Sequence, residues 1–249
     1  MRGRCLPDEP FLTVALRHQI GRLALEVAFE LRQPWTILFG PSGSGKTTIL
    51  RVLAGLVTPL SGMIAARDSG TTTTLLDTGA AVNVAAYMRR MPWAPQASSL
   101  FPHLTVAGNL EYGGGRREPE MEEAFELRGL LGKYPSQLSG GEAQRVNLAR
   151  AAMCPEARLL LLDEPFTGLD LRLRSSLVGH LLEWQRRTRV PILSVTHDVV
   201  EAFQVGAEVI RLAEGRVAVQ GAAVEVLGNE RGQLLSQLQP SGSRPTPTP

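Results

Sequence analysis

Cysteine is nearly absent: Cys5 and Cys154 are the only two in 249 residues. Two such residues build no disulfide framework, so a reducing compartment is expected. Long apolar runs are also missing. None approaches the roughly 20 residues that a spanning helix needs, so the chain is expected not to cross a membrane by itself. Residues 1–10 carry Arg2, Arg4, Asp8 and Glu9 and no apolar stretch of signal-peptide length. Neither sign of charge dominates. The 26 basic and 24 acidic residues leave +2, which argues against an electrostatic nucleic-acid binder, and no nucleic acid is expected as a partner. No internal repeat of roughly 20–50 residues is present, which excludes a solenoid or propeller.

What is present is ordinary for a globular protein: 43% apolar and 20% charged residues. A chain of this length buries roughly 70–75% of its unfolded surface, enough for a real core. Residues 1–10 read as a flexible N-terminus, 11–232 as one globular region, and 233–249 as a Pro-rich, disordered tail. Residues 11–16 and 23–31 alternate like antiparallel strands. Trp35–Phe39 is a short apolar strand, and Lys46–Ala54 a helix closed by Gly55. Residues 58–95 suit edge strands and turns. Helices are expected at 120–131, 141–153, 171–187 and 222–228, and strands at 158–162, 191–196, 207–212 and 216–219. Buried strands alternating with helices give an α/β fold with a parallel sheet covered on both faces.

Three segments carry chemistry. Gly40-Pro41-Ser42-Gly43-Ser44-Gly45-Lys46-Thr47 fits the phosphate-loop pattern G-x-x-x-x-G-K-[ST], between a strand and a helix. Its backbone N–H groups and the helix N-terminus suit phosphate oxygens. Lys46 is expected to reach the β- and γ-phosphates and Thr47 to ligate Mg²⁺, with Thr48 beside them. The run Leu159–Leu162 then delivers Asp163 and Glu164 to a strand end, where ligands sit in α/β sheets. Asp163 is expected to hold the metal and Glu164 to polarise a water. Leu138-Ser139-Gly140-Gly141-Glu142-Ala143-Gln144 is a second glycine turn opening a second helix, and so another potential anion site.

Together these three segments resemble the nucleotide-binding subunits of ATP-binding-cassette transporters, over roughly residues 11–232. The resemblance implies a P-loop NTPase core with an antiparallel β subdomain and an inserted helical subdomain at about 97–153. Gln96 matches the Q-loop glutamine, a catalytic residue and metal ligand in the family. Gly168-Leu169-Asp170 resembles the D-loop, and His197 the switch histidine. Ser139–Glu142 matches the signature, which acts in trans on ATP held by a second copy. A homodimer, an integral membrane permease and, indirectly, a solute-binding protein are therefore implied. So is a cytoplasmic place at the inner face of the membrane, with ATP and Mg²⁺ as ligands.

The run from Phe101 to Val106 and Asn109 to Tyr112 is most similar to the importer branch that moves molybdate. The segment 97–105 is expected to meet a permease helix, with Phe101 as its anchor. The aromatic residue on which the family stacks adenine is missing; Ile20 or His18 is left for that role. The C-terminal β domain of many importer ATPases is not expected. A cluster-assembly ATPase of the same superfamily is the alternative. Repair members need long coiled coils, and translation members need two cassettes. A Ser/His/Asp hydrolase reading of His197-Asp198 fails for want of a G-x-S-x-G elbow.

Overall fold

The computed structural model describes residues 9–68, 70–112, 117–205 and 208–238. The chain opens with a hairpin, β1 (Leu12–Ile20) and β2 (Leu23–Leu31), whose tight turn uses Gly21 at φ +56°. β3 (Trp35–Phe39) leads through a loop into α1 (Lys46–Leu53). β4 (Ser61–Asp68), β5 (Thr71–Asp77) and β6 (Val82–Asn83) follow, then the single turn α2 (Ala86–Arg89) and β7 (Trp93–Ala94). The helical part holds α3 (Val106–Glu111), α4 (Pro119–Ala124) and α5 (Gly140–Ala152). The chain returns through β8 (Leu160–Asp163), α6 (Leu171–Thr188), β9 (Ile192–Thr196) and α7 (Val199–Val205). It closes with β10 (Glu208–Ala213), β11 (Arg216–Ala222), α8 (Ala223–Val226) and α9 (Gly228–Leu238).

The strands form one sheet in the order β6-β5-β4-β1-β2-β11-β10-β3-β9-β8-β7. Its two halves differ in character. β6 to β2 pair antiparallel, and β10-β3-β9-β8-β7 pair parallel. One residue pair, Arg216 with Glu26, joins β11 to β2 between the halves. The central parallel strands are buried throughout, because helices cover both faces. Alternate residues of one strand feed two cores. Ile37, Leu160, Leu162 and Val209 pack with α5 and α6, whereas Leu38, Leu161 and Ile210 pack with α1 and the β1–β2 hairpin.

Several boundaries move from expectation, each for a local reason. The expected helix 120–131 stops at Ala124 and resumes only as a 3₁₀ turn at Arg128–Leu130. Phe125 and Leu127 are both fully buried, and Glu126 between them turns left-handed at φ +53° to let both inward. The expected helix 222–228 is one turn, and a new helix, α9, follows it. The supposed disordered tail therefore begins helical, from 233 to Leu238; residues 239–249 lie outside the described residues. Arg231 stacks over Phe203 at 5.1 Å, and Arg211 pairs with Glu230 at 2.8 Å, which dock this helix. Residues 1–8 also lie outside the described residues, and Glu9 is paired with Arg67. α3 and α7 were not foreseen.

Candidate functional site

The register of three neighbouring parallel strands assembles the site. Phe39 stands opposite Thr196, and Asp163 opposite Val195. The residues just past these strand ends, Gly40, His197 and Glu164, therefore emerge side by side. Ala94 of β7 stands opposite Leu162, which brings Gln96 level with Glu164.

The loop after β3 needs its glycines. A Cβ on Gly40 would lie 2.5 Å from the Leu212 carbonyl oxygen. Gly45 precedes α1 at φ +98°, and a Cβ there would meet Leu25 at 2.8 Å. No side chain caps α1 and its first turn holds no acid, so its first N–H groups stay open to an anion. Lys46, 7% exposed, donates from Nζ to the carbonyls of Gly40 and Pro41, each at 2.8 Å. Burial lowers its pKa, and the nearby carboxylates of Glu164 and Asp163 oppose that shift.

Thr47 Oγ1 donates to Asp163 Oδ1 at 3.2 Å. Burial pushes the Asp163 carboxyl up; the Thr47 bond pulls it back. Successive residues of a strand face opposite ways, so Asp163 and Glu164 could not both serve one site from an extended chain. Glu164 turns left-handed at φ +47°, which ends β8 and aims both carboxylates at the same place. Such strain in a non-glycine residue costs of order 1–3 kcal/mol and persists where surroundings over-determine it. Glu164 Oε2 accepts from Gln96 Nε2 at 2.9 Å and from Thr167 Oγ1 at 3.2 Å. His197 Nδ1 lies 3.1 Å from Glu164 Oε1, within hydrogen-bond distance.

A cleft of about 240 Å³ opens between these groups, lined by Ile20, Ser42, Gly43, Gly45–Thr48, Gln96, Glu164 and Val195. The structure thus brings together the phosphate loop, Gln96, Asp163, Glu164 and His197. Ile20, not His18, lines the cleft. Ser139, Gly140, Gly141, Glu142 and Asp170 do not line it. Ser139 and Gly140 are exposed, and Ser139 caps α5 in a closed box. Its Oγ accepts from Glu142 N at 3.2 Å, and its N donates to Glu142 Oε2 at 2.7 Å. These bonds from Ser139 hold the Glu142 carboxyl below its usual range. Asp170 caps α6, accepting from Arg172 N and Leu173 N at 3.0 Å.

Sequence reasoning passed over a second layer behind His197. Arg174, Asp198 and Glu201 meet there, and burial pushes the Glu201 carboxyl up to about 7. The available signal was Asp198 as an N-cap ahead of an apolar run, which starts α7. Asn109, which the sequence marks only as part of a resemblance, is fully buried and pins the Phe101 backbone by accepting from Phe101 N at 2.8 Å and donating to Phe101 O at 3.2 Å.

The donor set suits Mg²⁺. Thr47 hydroxyl, Asp163 carboxylate and the Gln96 amide oxygen are hard oxygen donors beside a phosphate loop. Mg²⁺ typically takes one or two carboxylates and leaves the rest to water and phosphate. Among the described residues no cluster of three or more His, Cys, Asp or Glu competes for a metal. Among them, too, no helix is long and apolar enough to cross a membrane.

Known proteins fit this geometry. The chain is 37% identical over 222 residues to the molybdenum import ATP-binding protein ModC of Mesorhizobium japonicum, covering 86% of this chain and 59% of that relative. The molybdate/tungstate import ATP-binding protein WtpC of Archaeoglobus fulgidus is 38% identical over 236 residues, covering 92% and 94%. An ATP-binding subunit of an ABC transporter superposes with a TM-score of 0.73 at 24% identity, over 92% of this chain and 99% of that one. A dimeric ATP-binding cassette bound to ADP and phosphate superposes with a TM-score of 0.69 at 24% identity, over 85% and 98%. The ABC transporter family model matches residues 26–167, and with the phosphate loop, the Asp163-Glu164 strand end and the sheet order all in place, the chain belongs to the ABC transporter family.

Proposed function

We propose that the chain is the ATP-hydrolysing subunit of an importer that moves molybdate or a related oxyanion through a partner permease. The observation that carries the ATPase reading is one cleft lined by Lys46, Thr47, Gln96 and Glu164, with Asp163 bonded to Thr47 and His197 to Glu164 behind them. The relatives' names supply the solute, and the chain spans only 59% of the length of the first of them.

In this reading the loop N–H groups and Lys46 hold the β- and γ-phosphates; Lys46 leaves its loop carbonyls to do so. Thr47, Asp163 and Gln96 would hold Mg²⁺, which would supply positive charge to offset that of the phosphates. Glu164 accepts the proton of the attacking water, a role worth roughly 10²–10⁴ in rate. His197 and Gln96 fix the Glu164 carboxylate from both sides. Ser139–Gly141 of a second copy would close the cleft over the γ-phosphate.

The permease surface fits an exposed apolar patch. Tyr87 is 85% exposed, and Met88, Leu56 and Leu60 are exposed as well. Arg89 beneath them donates to the Val52 and Leu53 carbonyls at 2.7 and 3.0 Å, which fixes α2 on the end of α1. Phe101 stacks on Tyr112 at 4.1 Å and beneath Arg150 at 5.4 Å, so it is half-buried in a second aromatic cluster. The test is uptake of labelled molybdate, with sulfate as comparator, by cells carrying the parent chain or Glu164→Gln. Uptake lost only in the variant supports the reading. Equal uptake removes it, and a selective loss of sulfate reassigns the solute.

A further inference from the structure

We propose that Arg174 is a positioning residue: held between Asp198 and Glu201, it sets where the segment bearing His197 sits relative to the helix that opens at Asp170. The inference rests on the ATPase reading and adds to it a side chain that touches neither nucleotide nor metal.

His197 itself is weakly held. Its side chain is 61% exposed, and among the described residues its one side-chain bond is to Glu164. Its neighbours in sequence are tightly held. Thr196 Oγ1 accepts from Asp198 N at 3.0 Å and donates to Glu201 Oε2 at 2.9 Å. Asp198 Oδ1 caps α7 through Val200 N at 2.7 Å and Glu201 N at 3.3 Å. Its other oxygen, Oδ2, accepts from Arg174 Nη1 at 2.5 Å. The residues flanking His197 are thus tied to α6 through one guanidinium, whose side chain is 11% exposed.

The tie has slack. Arg174 Nη2 stands 3.8 Å from Glu201 Oε2, an ion-pair distance too long for a hydrogen bond. Arg174 Nε and Nη2 and Glu201 Oε1 are buried without hydrogen-bond partners among the described residues. Buried charged groups left half-satisfied are costly, and an approach of under about 1 Å would complete the pair. The cluster therefore has a second, tighter arrangement within reach, in which α6 and the β9–α7 turn draw together. Asp170 lies one helical turn before Arg174 and accepts from Arg174 N through its carbonyl oxygen at 2.9 Å. A shift at the Asp170 turn passes through that single turn to Arg174, and from there to both sides of His197.

The experiment uses the full chain with Mg-ATP: the parent, Arg174→Met, Arg174→Lys and Glu201→Gln, with kcat, KM and the ring ¹³C resonances of the four histidines. The His197 resonance is assigned with His197→Gln. Arg174→Met is expected to lower kcat tenfold or more with KM changed less than twofold, and to move the His197 resonance while those of His18, His103 and His180 stay. Arg174→Lys, which keeps a donor for Asp198, is expected to recover most of kcat. An unchanged kcat or an unmoved His197 resonance in folded Arg174→Met overturns the proposal. So does a loss shared equally by kcat and nucleotide affinity. If Arg174→Met does not fold, Arg174→Lys and Glu201→Gln decide: a shifted His197 resonance in either supports the proposal, and none in both overturns it. Should the parent lack Mg-ATPase activity, the ATPase reading fails instead; should His197→Gln turn over like the parent, only the role of His197 in that reading fails. The resonance shift needs no turnover and still reports on Arg174.

Discussion

Two glycine turns open two helices in this chain, and they stand in opposite states. The turn before α1 leaves its N–H groups uncapped, buries Lys46 and faces a cleft lined by the same chain. The turn before α5 is exposed, and its N-terminus is already occupied by its own acid, Glu142, in a box with Ser139. Both look like anion sites in sequence, since a helix N-terminus attracts negative charge wherever it occurs. The first leaves its donors open, whereas in the second the N–H groups of Ser139 and Glu142 are already taken within the box.

The largest expected effect tests the first turn. Glu164→Gln should cut ATP turnover by roughly 10²–10⁴ while ATP binding by the α1 turn persists, because the amide keeps the shape and loses the proton acceptor. Steady-state hydrolysis with equilibrium nucleotide binding checks both halves. Turnover near that of the parent would remove Glu164 from its role.

The second turn is tested in the Glu164→Gln background. Adding Ser139→Arg should abolish an ATP-dependent dimer in sedimentation yet leave monomer binding of ATP intact, since Ser139 does not line the chain's own cleft. A dimer unchanged by the substitution would show that the exposed turn closes no partner site.

The buried carboxyl behind the first site should give it a pH dependence opposite in sign to that of the exposed turn, where Glu142 is held below its usual range. The Glu201 carboxyl is raised from 4.5 to about 7, so between those values the native state binds more protons than the unfolded chain. The contribution of this group is then fully present below pH 4.5 and is lost as pH rises through 7, a difference of order 2–3 kcal/mol between pH 5 and 8. Glu201→Gln keeps the Thr196 bond and should flatten that slope in denaturant unfolding at pH 5 and 8. An unaltered slope would place the pH dependence elsewhere.

The smallest effect belongs to the cap. Glu142→Ala opens the box and should lower Tm by about 1–3 °C, while Glu142→Gln, which can rebuild it, should stay near the parent. An equal loss in both would mean that charge, not the box, holds the α5 terminus.

Much of the first site was legible because its chemistry is local. The eight residues Gly40–Thr47 and the apolar run into Asp163-Glu164 carry their geometry in residue type and spacing. Gln96 and His197 were reached by resemblance alone; 68 and 33 residues separate them from Glu164, and strand register rather than spacing brings them to it. α7 escaped because Val199–Val205 is one short run after a strand, and its start rests on the Asp198 cap. α9 escaped because its composition reads as tail, and its docking comes from Phe203 and Arg211 elsewhere in the chain.

The sequence by itself determined the α/β alternation, the phosphate loop, the Asp-Glu strand end and the second glycine turn, because local backbone preference and side-chain chemistry suffice for each. Only the tertiary structure decided that Glu164 turns left-handed to share a site with Asp163. It alone chose Ile20 over His18 at the cleft and placed Arg174 between Asp198 and Glu201. The physical reason is common to all three: which of several chemically able groups meet depends on strand register and burial, and those are set by the packing of the whole sheet.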